Sequence, residues 1–239
     1  MNKTQIKSHE SISDFEKKIM SPMRRGRFLK YLGVSTAMSA MAIAGCDDDD
    51  ASSMNRTEVD LGSGDIGILN YAYLLEQLEA AFYEMAVSMP YSGMSSAETS
   101  ILTDIRDHEL AHRDFFRVAL GSSAIATVEF DFSSVDFASR ASVLGTAKAF
   151  EDLGVSAYNG AGSLLTNAEY LLLAGKIVSV EARHASAIRD LLNPFSADYA
   201  GDDVITAATG LDLAKNPSEV LSSAMAFVKN KINFNNLPS

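Results

Sequence analysis

The chain has one cysteine, no tryptophan and five prolines in 239 residues. A lone thiol cannot close an internal disulfide or build a four-cysteine zinc or iron module. Any bound metal must therefore be held by histidine and carboxylate. Few prolines leave long helices uninterrupted. Positive charge is in the minority, with 20 Lys/Arg against 31 Asp/Glu and a net charge of −11, which argues against nucleic-acid binding through a basic face. A long membrane-spanning run is also missing: the longest apolar stretch, Tyr31 to Gly45, holds about 15 residues, short of the ~20 that span a bilayer. What remains, 47% hydrophobic and 21% charged residues, is the composition of a folded domain.

Residues 1–45 differ from the rest. They carry Lys3, Lys7, Lys17, Lys18, Arg24, Arg25, Arg27 and Lys30 against three acids, and the apolar run follows directly. A charged region before a short apolar one is the layout of an export signal. The run ends Ile43-Ala44-Gly45-Cys46, which resembles a bacterial lipobox, so Cys46 is expected to be lipidated after cleavage. Arg24-Arg25 resembles a twin-arginine signal, offset by one residue from Phe28-Leu29-Lys30; ordinary secretion is the alternative. This predicts a periplasmic or cell-envelope protein held to the membrane by its lipid, with Asp47 favouring the inner membrane in a Gram-negative host. Residues 46–62 are polar and read as a flexible tether. The assignment is 1–45 signal, 46–62 tether, 63–194 bundle and 195–239 C-terminal extension.

Four long helical patterns follow. The first runs from Asp65, a candidate N-cap, to Ser88. The second runs from Ser96 to Leu120, opened by a capping box in Ser95-Ser96-Ala97-Glu98 and stopped by Gly121. The third runs from Ser139 to Ala157, before Asn159-Gly160, and the fourth from Ser163 to Leu192. Residues 122–138, with Val128, Phe130, Phe132 and Val135, form a long connection between the pairs. A last helix spans Pro217 to Lys229. The expected fold is all-α: two helical hairpins, a long crossover, a four-helix bundle and one extra C-terminal helix.

Each helix has an apolar seam broken by a glutamate. The seams read Leu69, Ala72, Glu76, Glu79, Tyr83; Leu102, Ile105, Glu109, His112, Phe116; Leu144, Ala147, Glu151, Gly154, Tyr158; and Leu173, Ile177, Glu181, His184, Ile188. A carboxylate on a buried seam is costly unless paired or bound to a metal. Residues three apart share a helix face about 5–6 Å from each other, so Glu-x-x-His presents both ligands to one site. One glutamate from each of two helices and one Glu-x-x-His from each of the other two is the di-iron or di-manganese arrangement of four-helix bundles. The spacing repeats: Glu76 and Tyr83 are seven residues apart, as are Glu151 and Tyr158. Glu79 shares the Glu76 face and is expected to be a solvated neighbour. His108, one residue off the seam, reads as structural or exposed, Glu169 as a surface charge, and Arg106 and Arg183 as members of surface pairs.

Leu69 to Tyr83, Asp107-His108-Glu109-Leu110-Ala111-His112, Glu151 to Tyr158 and Val180-Glu181-Ala182-Arg183-His184-Ala185 together resemble the ferritin-like superfamily. The likeness is to exported bacterial ferritin-like domain proteins related to plant desiccation-related proteins. It implies that Glu76, Glu109, His112, Glu151, Glu181 and His184 hold two Fe or Mn ions, and that Tyr83 and Tyr158 hydrogen-bond across the site. It also implies an oxidoreductase of peroxidase, catalase or ferroxidase type, with metal ions and small oxidants as partners and a homo-oligomer as an option. The alternative is a non-enzymatic stress or structural metal-binding protein of the envelope.

Overall fold

A computed structural model describes residues 58–239. Cys46, the Arg24-Arg25 pair, the signal and most of the tether lie outside the described residues. Four long helices form the bundle: α1 (Gly64–Ser88), α2 (Ser96–Leu120), α3 (Arg140–Gly162) and α4 (Ala168–Leu192). Helix α1 pairs with α2 and α3 with α4, while α1 packs on α3 and α2 on α4. The chain is an all-α bundle with a crossover, followed by α5 (Pro217–Ala224). Among the described residues, no helix is long and apolar enough to cross a membrane.

Local chemistry sets most of the boundaries. Ser95 accepts from Glu98 N and Glu98 accepts from Ser95 N, closing the capping box of α2. Gly121, with φ of 54°, ends it. Asp65 is not the N-cap of α1; Ser63 holds that position. The Asp65 carboxylate instead accepts from Thr166 N, Thr166 Oγ1 and Asn167 N, and so ties the α3–α4 connection to the start of α1. Those bonds help keep residues 163–167 out of the helix, so α4 starts at Ala168 behind its own cap, Asn167.

Helix α3 runs past Asn159-Gly160 to Gly162. The reason is the segment lying on it. Asn159 Nδ2 donates to Leu213 O, and a Cβ at position 160 would stand 1.8 Å from Lys215 O. Glycine there is a docking surface for backbone and not a helix stop. The last helix is shorter than expected, giving way to a 3₁₀ turn at Met225–Phe227. Beyond it the chain becomes extended: Asp131 N donates to Phe227 O and Lys229 N to Glu129 O. The crossover gains a backbone partner that continued helix would have denied it.

Helix α1 is buried almost all round. Its outward polar residues hold the covering chain. Asn70 donates to Leu61 O and Ser123 O and accepts from Ile125 N; Gln77 accepts from Val128 N. Val59 and Asp60 (β1) pair in parallel with Ile232 and Asn233 (β4), and Leu61 is fully buried. These residues, assigned to the tether by composition, are part of the domain. A short hairpin, β2 (Ile205–Thr206) with β3 (Leu211–Asp212), completes the C-terminal extension.

Arg189, buried near the end of α4, fastens that extension. It meets Asp152 of α3 through Nε and Nη2, Asp203 through Nη1 and Nη2, and Asp198 O through Nη1. Its planar fork is used on every side. The guanidinium holds the Asp203 carboxyl down at about 2. Removing Arg189 leaves two acids facing each other without their cation. Arg189→Met should lower the unfolding free energy of the ion-free chain by about 3 kcal/mol, measured by urea unfolding at pH 7. A depressed carboxyl stabilises above its ordinary value of 3.8 and loses that contribution as pH falls toward 2. The gap between wild type and variant should therefore narrow below pH 3.8.

Candidate metal centre

Midway along the bundle the four glutamates converge. Glu76 comes from α1, Glu109 from α2, Glu151 from α3 and Glu181 from α4, and all four are fully buried. His112 and His184, one helical turn beyond Glu109 and Glu181, join them. The three histidines among the described residues, these two and His108, all lie here.

The six residues form two overlapping groups. Glu76, Glu109, His112 and Glu181 each offer a ligand atom within 4.8 Å of the others; so do Glu109, Glu151, Glu181 and His184. Glu109 and Glu181 belong to both, and the atoms show how. His112 Nδ1 lies 2.8 Å from Glu181 Oε1 and 3.5 Å from Glu109 Oε2. His184 Nδ1 lies 2.8 Å from Glu109 Oε1 and 3.6 Å from Glu181 Oε2. Each shared carboxylate turns one oxygen to each group. Glu76 completes the first and Glu151 the second.

Two tyrosines cross between α1 and α3. Tyr83 donates to Glu151 Oε1 at 2.5 Å, and Tyr158 donates to Glu76 Oε1. Burial, with a carboxylate beside each ring, pushes both hydroxyls well above their ordinary range, so both stay protonated donors. Phe82 meets Tyr83 edge-on at 5.2 Å and Phe150 at 5.1 Å, so the Tyr83 ring is packed into an aromatic cluster.

Eight other buried atoms of the six residues have no hydrogen-bond partner among the described residues: Glu76 Oε2, both oxygens of Glu109 and Glu181, Glu151 Oε2, and Nδ1 of His112 and His184. Two of these atoms, Nδ1 of His112 and of His184, come within 2.8 Å of a carboxylate oxygen without forming a hydrogen bond. Buried polar atoms are normally paired. A concentration of unpaired ones, all oxygens and imidazole nitrogens gathered in these two overlapping groups, is a donor set for divalent cations. Two such cations carry the charge that neutralises four carboxylates. The residues fit a dinuclear centre.

Without ions, protons take their place. Burial opposes charge on both rings, but the carboxylates around Nδ1 outweigh it and push His112 and His184 up to about 12. Burial raises Glu151 to about 8, and Glu76 also lies well above the usual carboxylate range. Burial acts the same way on Glu109, yet the two histidines reverse it and bring that carboxyl to about 2.

Glu79 is a correction to the sequence reading. It is not solvated but buried at 3% exposure, and a Cβ on Gly154 would come 3.0 Å from its Oε1. Burial first, and then Glu109, Glu181, Glu151 and Glu76, raise its pKa well above the carboxylate range. Glu79 follows Glu76 by three residues as Gly154 follows Glu151, so the absent side chain on α3 makes room for the one on α1. Glu169 and Arg183 are exposed, and Arg106 pairs with Asp107. His108 is exposed yet reaches inward: its Nδ1 lies 2.9 Å from His184 Nε2.

Compared with known proteins, residues 64–194 match the family model described as ferritin-like domain. No curated protein matches the chain.

The protonation pattern gives ion-free stability a sign. Glu151, His112 and His184 all bind protons more tightly folded than unfolded. Their contributions are present below the ordinary values of 4.5 and 6.5 and are lost as pH rises toward about 8 and about 12. The ion-free protein should melt at a lower temperature at pH 9 than at pH 6. Excess Mn(II) should reverse that order, because ligands must shed protons to bind it. Calorimetry at the two pH values, with and without metal, checks both.

Proposed function

The chain belongs to the ferritin-like domain family, and on that premise we propose that its bundle carries a pair of iron or manganese ions, held by Glu76, Glu109, His112, Glu151, Glu181 and His184, that reacts with peroxide, or with dioxygen and Fe(II). The observation that carries this reading is the sharing of Glu109 and Glu181, each with one oxygen in either group. When bound, such a pair supplies one-electron steps between M(II) and M(III), which carboxylate ligands tolerate by stabilising the higher charge.

The protein's own residues do the rest. Glu109 and Glu181 would serve both positions, since each belongs to both groups. Glu76 and Glu151 close their outer sides, each steadied by a tyrosine hydroxyl from the opposite helix. Phe82, packed edge-on between Tyr83 and Phe150, steadies the Tyr83 ring. Burial and the neighbouring carboxylates raise the Glu79 carboxyl well above the usual carboxylate range within the same region. The N-terminal layout supports placing this chemistry in the cell envelope, on a chain anchored through lipid at Cys46.

Metal analysis tests the reading. The wild-type protein should carry about two Fe or Mn ions per chain after metal-replete expression. Glu109→Ala removes an oxygen from both positions and should empty both, whereas Glu76→Ala should leave about one ion. Turnover of hydrogen peroxide, or oxidation of Fe(II) in air, should accompany the two-ion form only. Two ions without turnover of either substrate would favour a structural or stress-related metal protein, and a chain without metal would end the dinuclear reading.

A further inference from the structure

The two ion positions are nearly equivalent in their inner ligands but differ one residue further out. His184 Nδ1 faces Glu109, Glu151 and Glu181, while its Nε2 lies 2.9 Å from His108 Nδ1. The two rings are tilted by 11° with centroids 5.2 Å apart. A separation that long, together with a 2.9 Å nitrogen contact, arises when rings meet edge to edge in a common plane. That is the alignment a linear N–H···N hydrogen bond requires. When Nδ1 of His184 binds a cation, the neutral ring carries its hydrogen on Nε2, so His184 then donates and His108 accepts at Nδ1.

His112 has no such partner: among the described residues, nothing hydrogen-bonds its Nε2. The sequence shows why. His108 immediately precedes Glu109; the corresponding residue before Glu181 is Val180, which offers neither donor nor acceptor. The internal repeat of the bundle is broken at this pair of positions.

Resting on the dinuclear reading, we propose that His108 is a positioning residue for the ion held by His184. It accepts the Nε2–H, fixes the ring with Nδ1 toward the carboxylates, and makes this position bind a divalent cation more tightly than the His112 position. A hydrogen bond to the outer nitrogen of a ligating imidazole locks its tautomer and orientation and raises its basicity. Because His108 is exposed, its replacement leaves the core packing untouched.

The test is Co(II) titration of the metal-stripped full chain, followed by the visible absorption of bound Co(II) and by calorimetry. Wild type should bind in two steps. In His108→Leu the tighter step should weaken about 10- to 100-fold while the other holds. His108→Asn should restore it, since Asn Oδ1 takes the place of Nδ1 as acceptor. In the Zn(II)-loaded, ¹⁵N-histidine-labelled protein, one slowly exchanging Nε2–H should be visible in wild type and His108→Asn and lost in His108→Leu. Two ions bound by wild type with His108→Leu unchanged, or with His108→Asn as weak as His108→Leu, would overturn this inference and spare the dinuclear reading. A wild-type chain that takes up no Co(II) overturns both.

Discussion

Four carboxylates held within a few ångströms of one another, where the described chain gives them two hydroxyl donors, repel each other strongly in a low-dielectric interior. Charge neutralisation inside the bundle is the constraint to which the remaining structure answers. The six residues nearest that charge come from all four helices, so no single helix can be displaced without opening the site. The donors that are present, Tyr83 and Tyr158, cross reciprocally between α1 and α3. Each satisfies one oxygen of an outer glutamate and leaves the other oxygen turned inward. This division leaves eight atoms for cations, which is a different outcome from a buried polar network that saturates itself.

The surrounding parts can be read as supports for that arrangement. Asp152, beside Glu151 in the chain, is gripped by Arg189, five residues beyond His184. The same guanidinium grips Asp203 in the C-terminal extension. The extension therefore clamps the two helices that carry Glu151, Glu181 and His184. On the other side, Asn70 and Gln77 pin the crossover to α1, the helix that carries Glu76 and Tyr83. The helices that carry the six residues are braced from outside by polar contacts and brought together inside at the buried acids.

Much of this was legible in the sequence because helix periodicity is a strong constraint. The two Glu-x-x-His pairs, the repeated seven-residue step from glutamate to tyrosine and the capping box at Ser95 specify the helices, their pairing and the residues that meet. The misses have two physical causes, of which the first is that the period of a helix identifies one stripe, whereas α1 is covered on nearly every side. Glu79 therefore looked solvated when it was buried, and the space it uses depends on Gly154, a residue on another helix. Asn159-Gly160 looked like a stop because the backbone docking onto it comes from residues 213–215, far along the chain. Arg189 and His108 gave no local signal, since their roles depend on partners brought together only by the tertiary fold. His108 could have been found by comparing the two repeats position by position, where it stands opposite Val180.

The pairing of β1 with β4 joins residues 173 positions apart, whereas each helical hairpin closes across a connection of a few residues. Loop closure across so long a span is entropically late. The hairpins, and with them the convergence of the acidic side chains, can form before the ends of the domain meet. Assembly then has a natural order in which the charged interior is enclosed before the outer strand pair seals.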